Sequence, residues 1–348
     1  PANYADQTVP RYIRKNNSTA MSITDAGATL GRVLFYDTML SVDNSVSCAS
    51  CHRQELAFGD DDRASVGVNG TTPRHSMRLL NVRFADEDRL FWDERAASLE
   101  AQTTTPIQDH IEMGFSGEDG DPRLDDALAK LAATDYYQVL FDYVYGDSVV
   151  TEQRIQSALS QFVRSIQSFD SRYDEGRAQA SSELEPFANF TAVENQGKQL
   201  FMAPPALDTE GVRTAGGLAC AGCHRAPESD IDPEMRNNGV IATIDGVGTD
   251  LTVTRAPTLR NVVRADGTAN GGLMHTGDFD LDAVLDHYDR ISDEGNTNLD
   301  NRLASMGNPQ RLLLTPAERE AVIAFLKTLA GEDLYTNGIW SDPFVLRP

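Results

Sequence analysis

Between Thr151 and Asp170 the apolar residues Ile155, Ala158, Leu159, Phe162, Val163 and Ile166 recur at helical spacing, which predicts one long helix with a buried stripe. Two shorter stretches echo each other. Leu30-Gly31-Arg32-Val33-Leu34-Phe35 and Gln196-Gly197-Lys198-Gln199-Leu200-Phe201 both carry Gly-x-x-Leu-Phe on a predicted helix, and each leads through a loop to a cysteine pair. Two copies of one unit explain this better than a single large fold. A last helix opens at Thr315-Pro316-Ala317-Glu318, a capping box with Pro in the first turn, and ends near Gly331. The Ala-, Ser- and Glu-rich stretch from Ala178 to Glu185 reads as the linker. Strand alternation is sparse and the loops are rich in Asp and Gly. The expected fold is mostly α, with few strands and long loops, divided into units over 1–177 and 178–348.

Composition narrows the partners. A chain of 348 residues with a formal charge of -23 would be repelled by nucleic acid. That charge serves solubility, and it could also steer a basic partner. No apolar run approaches the roughly 18 residues of a membrane span. The start at Pro1, with no charged-then-apolar leader, suggests a removed signal peptide and a periplasmic or cell-surface protein.

Cys48-Ala49-Ser50-Cys51-His52 and Cys220-Ala221-Gly222-Cys223-His224 use all four cysteines of the chain. C-x-x-C-H is the attachment spacing of c-type haem: the thiols become thioethers to the vinyl groups, and the adjoining His reaches the iron. Zinc would need four ligands per site, and neither run has a second cysteine pair nearby. A thioredoxin-like pair would sit in a βαβ pattern, which is missing here. The chain reads as a dihaem cytochrome: two cytochrome-c-like haem domains related by an internal repeat, with two covalently bound c-type haems. Thioether attachment normally occurs outside the cytoplasm, in agreement with export.

The segment Phe91-Trp92-Asp93-Glu94-Arg95-Ala96-Ala97-Ser98-Leu99-Glu100-Ala101-Gln102 is followed by Pro106 and Glu112-Met113-Gly114. With Thr258-Leu259-Arg260-Asn261-Val262 and Met274-His275-Thr276-Gly277, it resembles the bacterial dihaem cytochrome c peroxidases and their MauG-type relatives. The resemblance implies that His52 is the proximal ligand of a peroxide-reacting haem. It makes Glu112 the distal acid–base residue, Gln102 its distal partner and Pro106 a limit to the pocket. Peroxide cleavage needs a group that takes a proton from one oxygen and delivers it to the other. A carboxylate can do so if burial raises its pKa toward the working pH, although the commonest fate of a Glu is the surface. Trp92 is implied as an electron or hole relay between the haems, a role compatible with anchoring the core.

By the same resemblance His224 is the proximal ligand of a second, six-coordinate haem. Its distal ligand comes from the helix after Met274-His275-Thr276-Gly277: Met in electron-accepting peroxidases, Tyr in MauG-type enzymes. Leu281-Asp282-Ala283-Val284-Leu285-Asp286-His287-Tyr288-Asp289 contains no Met, and the ligand position falls on Tyr288, with His287 as the alternative. Adjacent helical residues point about 100° apart, so only one can face the iron. No His lies between His52 and Pro73-Arg74-His75 to occupy the first iron. His75 replaces a family Asn near an interdomain calcium and is expected to be structural. With the insertion Ala265 to Gly272, it leaves calcium possible and no more. Asp278, Asp280 and Asp282 suggest a calcium loop, but Ala283 stands where its sharp-turning Gly should be. Acids that start a helix offset its dipole without a metal. His275 is expected to be structural or a hydrogen bonder, and His110 a pocket-rim residue. Leu218-Ala219 occupy the place where the best-known MauG-type enzyme carries a surface Trp.

The expected function is an H2O2-dependent dihaem oxidase of MauG type, using high-valent haem iron to oxidise a side chain, Trp foremost, on a partner protein. One alternative is a cytochrome c peroxidase that takes electrons from a small redox protein. The other is a non-enzymatic dihaem electron carrier.

Overall fold

The computed structural model describes residues 2–18, 21–86, 89–231, 235–292 and 295–345. Its helices run in the order α1 (Asp25–Tyr36), α2 (Cys48–Cys51), α3 (Leu99–Thr104), α4 (Leu124–Ala132), α5 (Asp135–Tyr145) and α6 (Glu152–Ser165). There follow α7 (Arg172–Gln179), α8 (Ala192–Met202), α9 (Leu281–Asp289) and α10 (Pro316–Lys327). Among the described residues, strands occur only as short antiparallel pairs, such as Val66–Gly67 with Gly70–Thr71. The protein is mostly helical, as the pattern implied. Helix starts are locally encoded: Thr24, Ser98, Thr151, Ser171, Thr191, Asp280 and Thr315 each accept from a first-turn N–H. No helix among the described residues is long and apolar enough to cross a membrane.

The buried apolar residues form two cores. One joins Leu30, Leu34 and Phe35 of α1 to Tyr137 and Phe141 of α5 and to Ile155, Leu159 and Phe162 of α6. The other joins Phe201 of α8, Leu285 of α9 and Val322, Phe325 and Leu326 of α10. Gly-x-x-Leu-Phe does the same job in both. α1 packs on α6 and α8 on α10, so closely that a Cβ on Gly31 would lie 1.9 Å from the Ala158 carbonyl oxygen, and one on Gly197 1.8 Å from that of Ala321. The close approach lets Phe35 stack 5.1 Å from Phe162, and Phe201 5.2 Å from Phe325. Gly31→Ala must push the helices apart, which costs about 2 kcal/mol for an overpacked site. The expected result is a thermal midpoint lower by on the order of 5 °C; a midpoint equal to wild type would show that the crossing tolerates a methyl group.

Three features depart from the sequence pattern. The helix expected over 151–170 stops at Ser165, where Ile166 turns extended as the C-cap. Asn81 holds that exit, its N–H donating to the Ile166 carbonyl at 3.0 Å and its Oδ1 accepting from the Ser168 N–H at 3.0 Å. The core changes between Ile166 and Tyr173, ahead of the expected linker. That stretch is tied down, with Lys198 Nζ donating to the Glu183 and Glu185 carbonyls at 2.5 Å each. The tail also returns. Leu334 and Trp340 are buried in the first core, and Trp340 Nε1 donates to the Ser165 carbonyl at 3.1 Å.

Candidate functional site

The turn of α2 brings Cys48, Cys51 and His52 to the wall of a cavity of about 640 Å³, and Gln102, Pro106 and Glu112 line the same cavity. His52 Nδ1 donates to the Phe58 carbonyl at 3.3 Å, which leaves Nε2 with a free lone pair. Burial pushes its pKa down to about 4, so the ring is neutral at pH 7. Gln102 comes from α3 and Pro106 from the turn after it. Glu112 is set by an Asx turn, in which Asp109 Oδ1 accepts from the N–H of Ile111 at 2.8 Å and of Glu112 at 3.0 Å. Val68, in the hairpin turn after Val66–Gly67, donates its N–H to the Glu112 carbonyl at 3.1 Å and pins the segment from the other side. Burial, reinforced by the Asp109 charge and opposed by Arg95, pushes the Glu112 carboxyl up to about 7. A group with that pKa can both take and give a proton near neutrality.

The second C-x-x-C-H run lines a larger cavity, about 1410 Å³, with Cys220, Cys223, His224 and Tyr288 on its wall. His224 Nδ1 donates to the Pro257 carbonyl at 2.9 Å, and burial again lowers its pKa to about 4. Tyr288 reaches the cavity from α9 and His287 does not. His287 Nε2 instead meets the Asn238 carbonyl at 3.0 Å. Burial holds the Tyr288 phenol well above its ordinary range.

Both cavities suit a haem attached through the adjoining thiols, because each pairs two cysteines with a neutral imidazole whose Nε2 is uncommitted. The second adds Arg78, Arg255 and Arg302 to an otherwise mostly apolar wall. Arg78 Nε is buried with no hydrogen-bond partner, and a carboxylate-bearing ligand would satisfy it. Sequence reasoning did not find these arginines. They lie far along the chain from the cysteines, and residue type alone argues for an exposed Arg.

The segment from His75 to Arg78 separates the cavities, Ser76 lining both. Trp92 hangs on that partition: it is buried, lines the second cavity and donates Nε1–H to the His75 carbonyl at 2.7 Å. His75 itself is buried, its Nδ1 donating to the Asp62 carbonyl at 2.9 Å. His275 stacks edge-on to Trp92 at 6.3 Å and meets the Ala242 carbonyl through Nε2 at 3.2 Å. His110 lies outside both cavities, half-exposed and held by Asp121 at 2.8 Å. Asp280 caps α9 by accepting the Ala283 N–H at 2.8 Å, and Asp278 accepts from Thr276 Oγ1 at 2.6 Å.

A family model described as di-haem cytochrome c peroxidase matches residues 25–182. The methylamine utilization protein MauG of Methylorubrum extorquens is 29% identical over 325 residues, covering 90% of this chain and 80% of that one. The cytochrome c551 peroxidase of Nitrosomonas europaea is 26% identical over 318 residues, covering 88% and 80%. Among solved structures, a MauG-like protein associated with microbial copper homeostasis superposes with a TM-score of 0.75 at 26% identity, over 98% of this chain and 99% of that one. The diheme peroxidase BthA of Burkholderia thailandensis shares the fold, with a TM-score of 0.65 at 22% identity over 96% and 94%.

Proposed function

Because this chain belongs to the dihaem cytochrome c peroxidase and MauG family, whose members are haem-dependent oxidoreductases, we propose that it is an H2O2-dependent oxidase of the MauG type. The observation that carries this reading is a half-buried carboxyl with its pKa raised to about 7, Glu112, on the same cavity wall as Cys48, Cys51 and His52. Two c-type haems, when bound, supply the redox capacity that peroxide demands. Cys48, Cys51 and His52 would hold the first, and Cys220, Cys223 and His224 the second, with Tyr288 as its sixth ligand. Glu112 takes a proton from one peroxide oxygen and returns it to the departing one. Gln102 orients the peroxide, and Pro106 narrows the space beside it. Trp92, on the partition, passes electrons between the two halves. The electrons come from a side chain, Trp foremost, on a partner protein in the periplasm.

The competing reading is a cytochrome c peroxidase fed by a small redox protein; the named relatives are enzymes, which removes support from a simple electron carrier. Stoichiometric H2O2 added to the fully ferric holoprotein separates the two. Loss of both ferric signals in optical and EPR spectra, with no reductant present, supports the MauG type. No reaction until one electron is supplied would sink it.

The pH profile is a second check. Only the charged carboxylate can accept the peroxide proton, and Glu112 carries that charge above about pH 7. The second-order rate constant should therefore fall as pH drops below about 7, by close to tenfold per unit. Stopped-flow data that stay flat across this range would remove Glu112 from the role.

A further inference from the structure

Tyr137 in the first core and the exposed Tyr136 beside it form a pair that neither cavity uses. Tyr136 and Tyr137 are consecutive on α5, and neighbours on a helix ordinarily point about 100° apart. Here both phenols donate to one oxygen, Asp37 Oδ2, at 2.5 Å from Tyr136 and 2.7 Å from Tyr137. Their ring centroids lie 4.6 Å apart. Asp37 is buried, and its Oδ1 already accepts the Met39 N–H at 2.9 Å. Asp37 therefore accepts three hydrogen bonds, two of them from the phenols. Met39 Sδ, a polarisable thioether, lies 3.2 Å from the Tyr136 hydroxyl.

The pair runs from inside to outside. Tyr137 is fully buried in the core against which Cys48 packs. Tyr136 is 39% exposed, with the exposed Val139 and Tyr143 on the same helix. Burial and the Asp37 charge keep both phenols protonated, so each retains its proton until an electron leaves.

We propose that Tyr137 and Tyr136 form a relay that carries oxidising equivalents from the first cavity to the surface, where an electron-rich aromatic group outside the chain gives up an electron to Tyr136. This rests on the first cavity being the peroxide site. Reduction of H2O2 to two water molecules takes two electrons and two protons; the protons come from solvent, and the relay fires twice for each peroxide, Tyr137 supplying one electron each time. As that electron leaves, the Tyr137 O–H proton moves to Asp37 Oδ2 and a neutral phenoxyl remains. Tyr136 then gives Tyr137 an electron, Asp37 returns the first proton, and the Tyr136 proton takes its place on Asp37. An external one-electron donor restores Tyr136, and Asp37 gives its proton back.

The test treats ferric holoprotein with stoichiometric H2O2 and no reductant, then reads freeze-quench EPR for a tyrosyl radical and peptide mass spectrometry for oxidation at Tyr136. Wild type should show both. Tyr137→Phe should lose Tyr136 oxidation while still consuming peroxide, whereas Tyr143→Phe, on the exposed face but off the relay, should leave both signals unchanged. Equal Tyr136 oxidation in wild type and Tyr137→Phe would mean direct attack from solution and overturns the relay. Should Tyr137→Phe not fold, Tyr136→Phe decides, because the radical must then persist on Tyr137; its absence overturns the relay. Peroxide consumed with no tyrosine oxidised also overturns the relay and leaves the site reading standing, whereas no peroxide consumption overturns both.

Discussion

Glu112→Gln is expected to slow the reaction of the holoprotein with hydrogen peroxide by about 10²–10⁴-fold, the usual worth of a positioned acid–base group. The substitution keeps the shape of the side chain and removes only its ability to accept a proton. The backbone that positions it should survive, because Asp109 and Val68 bind main-chain atoms of this segment rather than the carboxyl. Both haem spectra of the resting variant should therefore match wild type, so that a slow reaction reports chemistry and not misfolding. Stopped-flow absorbance under excess peroxide measures the rate. A variant that reacts at the wild-type rate would take Glu112 out of the mechanism and turn attention to Gln102, another polar side chain of that pocket.

Tyr288→Phe carries the second large effect. Tyr288 is the side chain of its helix pair that reaches the larger cavity, and Phe preserves its volume without the oxygen. The low-spin spectrum of the second haem should be lost. Its reduction potential should move by on the order of 100 mV or more, since axial ligands spread haem potentials over about 0.8 V. His287→Gln is the matched control: His287 Nε2 is committed to the Asn238 carbonyl at 3.0 Å, so its replacement should leave the spectrum alone. EPR together with a spectroelectrochemical titration reads both variants. The opposite pattern, an unchanged spectrum in Tyr288→Phe and a changed one in His287→Gln, would transfer the ligand role to His287.

Helices α1, α6, α8 and α10 were legible because their information is local, whereas the pairing of α1 with α6 and of α8 with α10 was decided by the fold. A period of 3.6 residues marks the buried stripe, while the close backbone approach at Gly31 and Gly197 came from the structure. The end of α6 was not legible. Ile166 continues the apolar pattern, and what stops the helix is Asn81, 85 residues earlier in the numbering, through bonds to Ile166 and Ser168. The division of the cores was hidden for a similar reason: Trp340 lies at the far end of the chain yet buries itself beside Ser165.

The amino-acid sequence by itself determined the pairing of two thiols with an imidazole in each run, because residues within five positions need only one helical turn to converge. It also determined the helical class and the caps, which depend on neighbours within four positions. Tertiary structure alone decided which of two adjacent residues on α9 faces the cavity, since a rotation of about 100° separates them and only packing selects one. It also brought Glu112 to His52 across 60 residues, buried it until its carboxyl titrates near 7, and turned two consecutive tyrosines onto one aspartate. Those outcomes rest on long-range contacts and on the exclusion of water, neither of which is written in any local stretch of the chain.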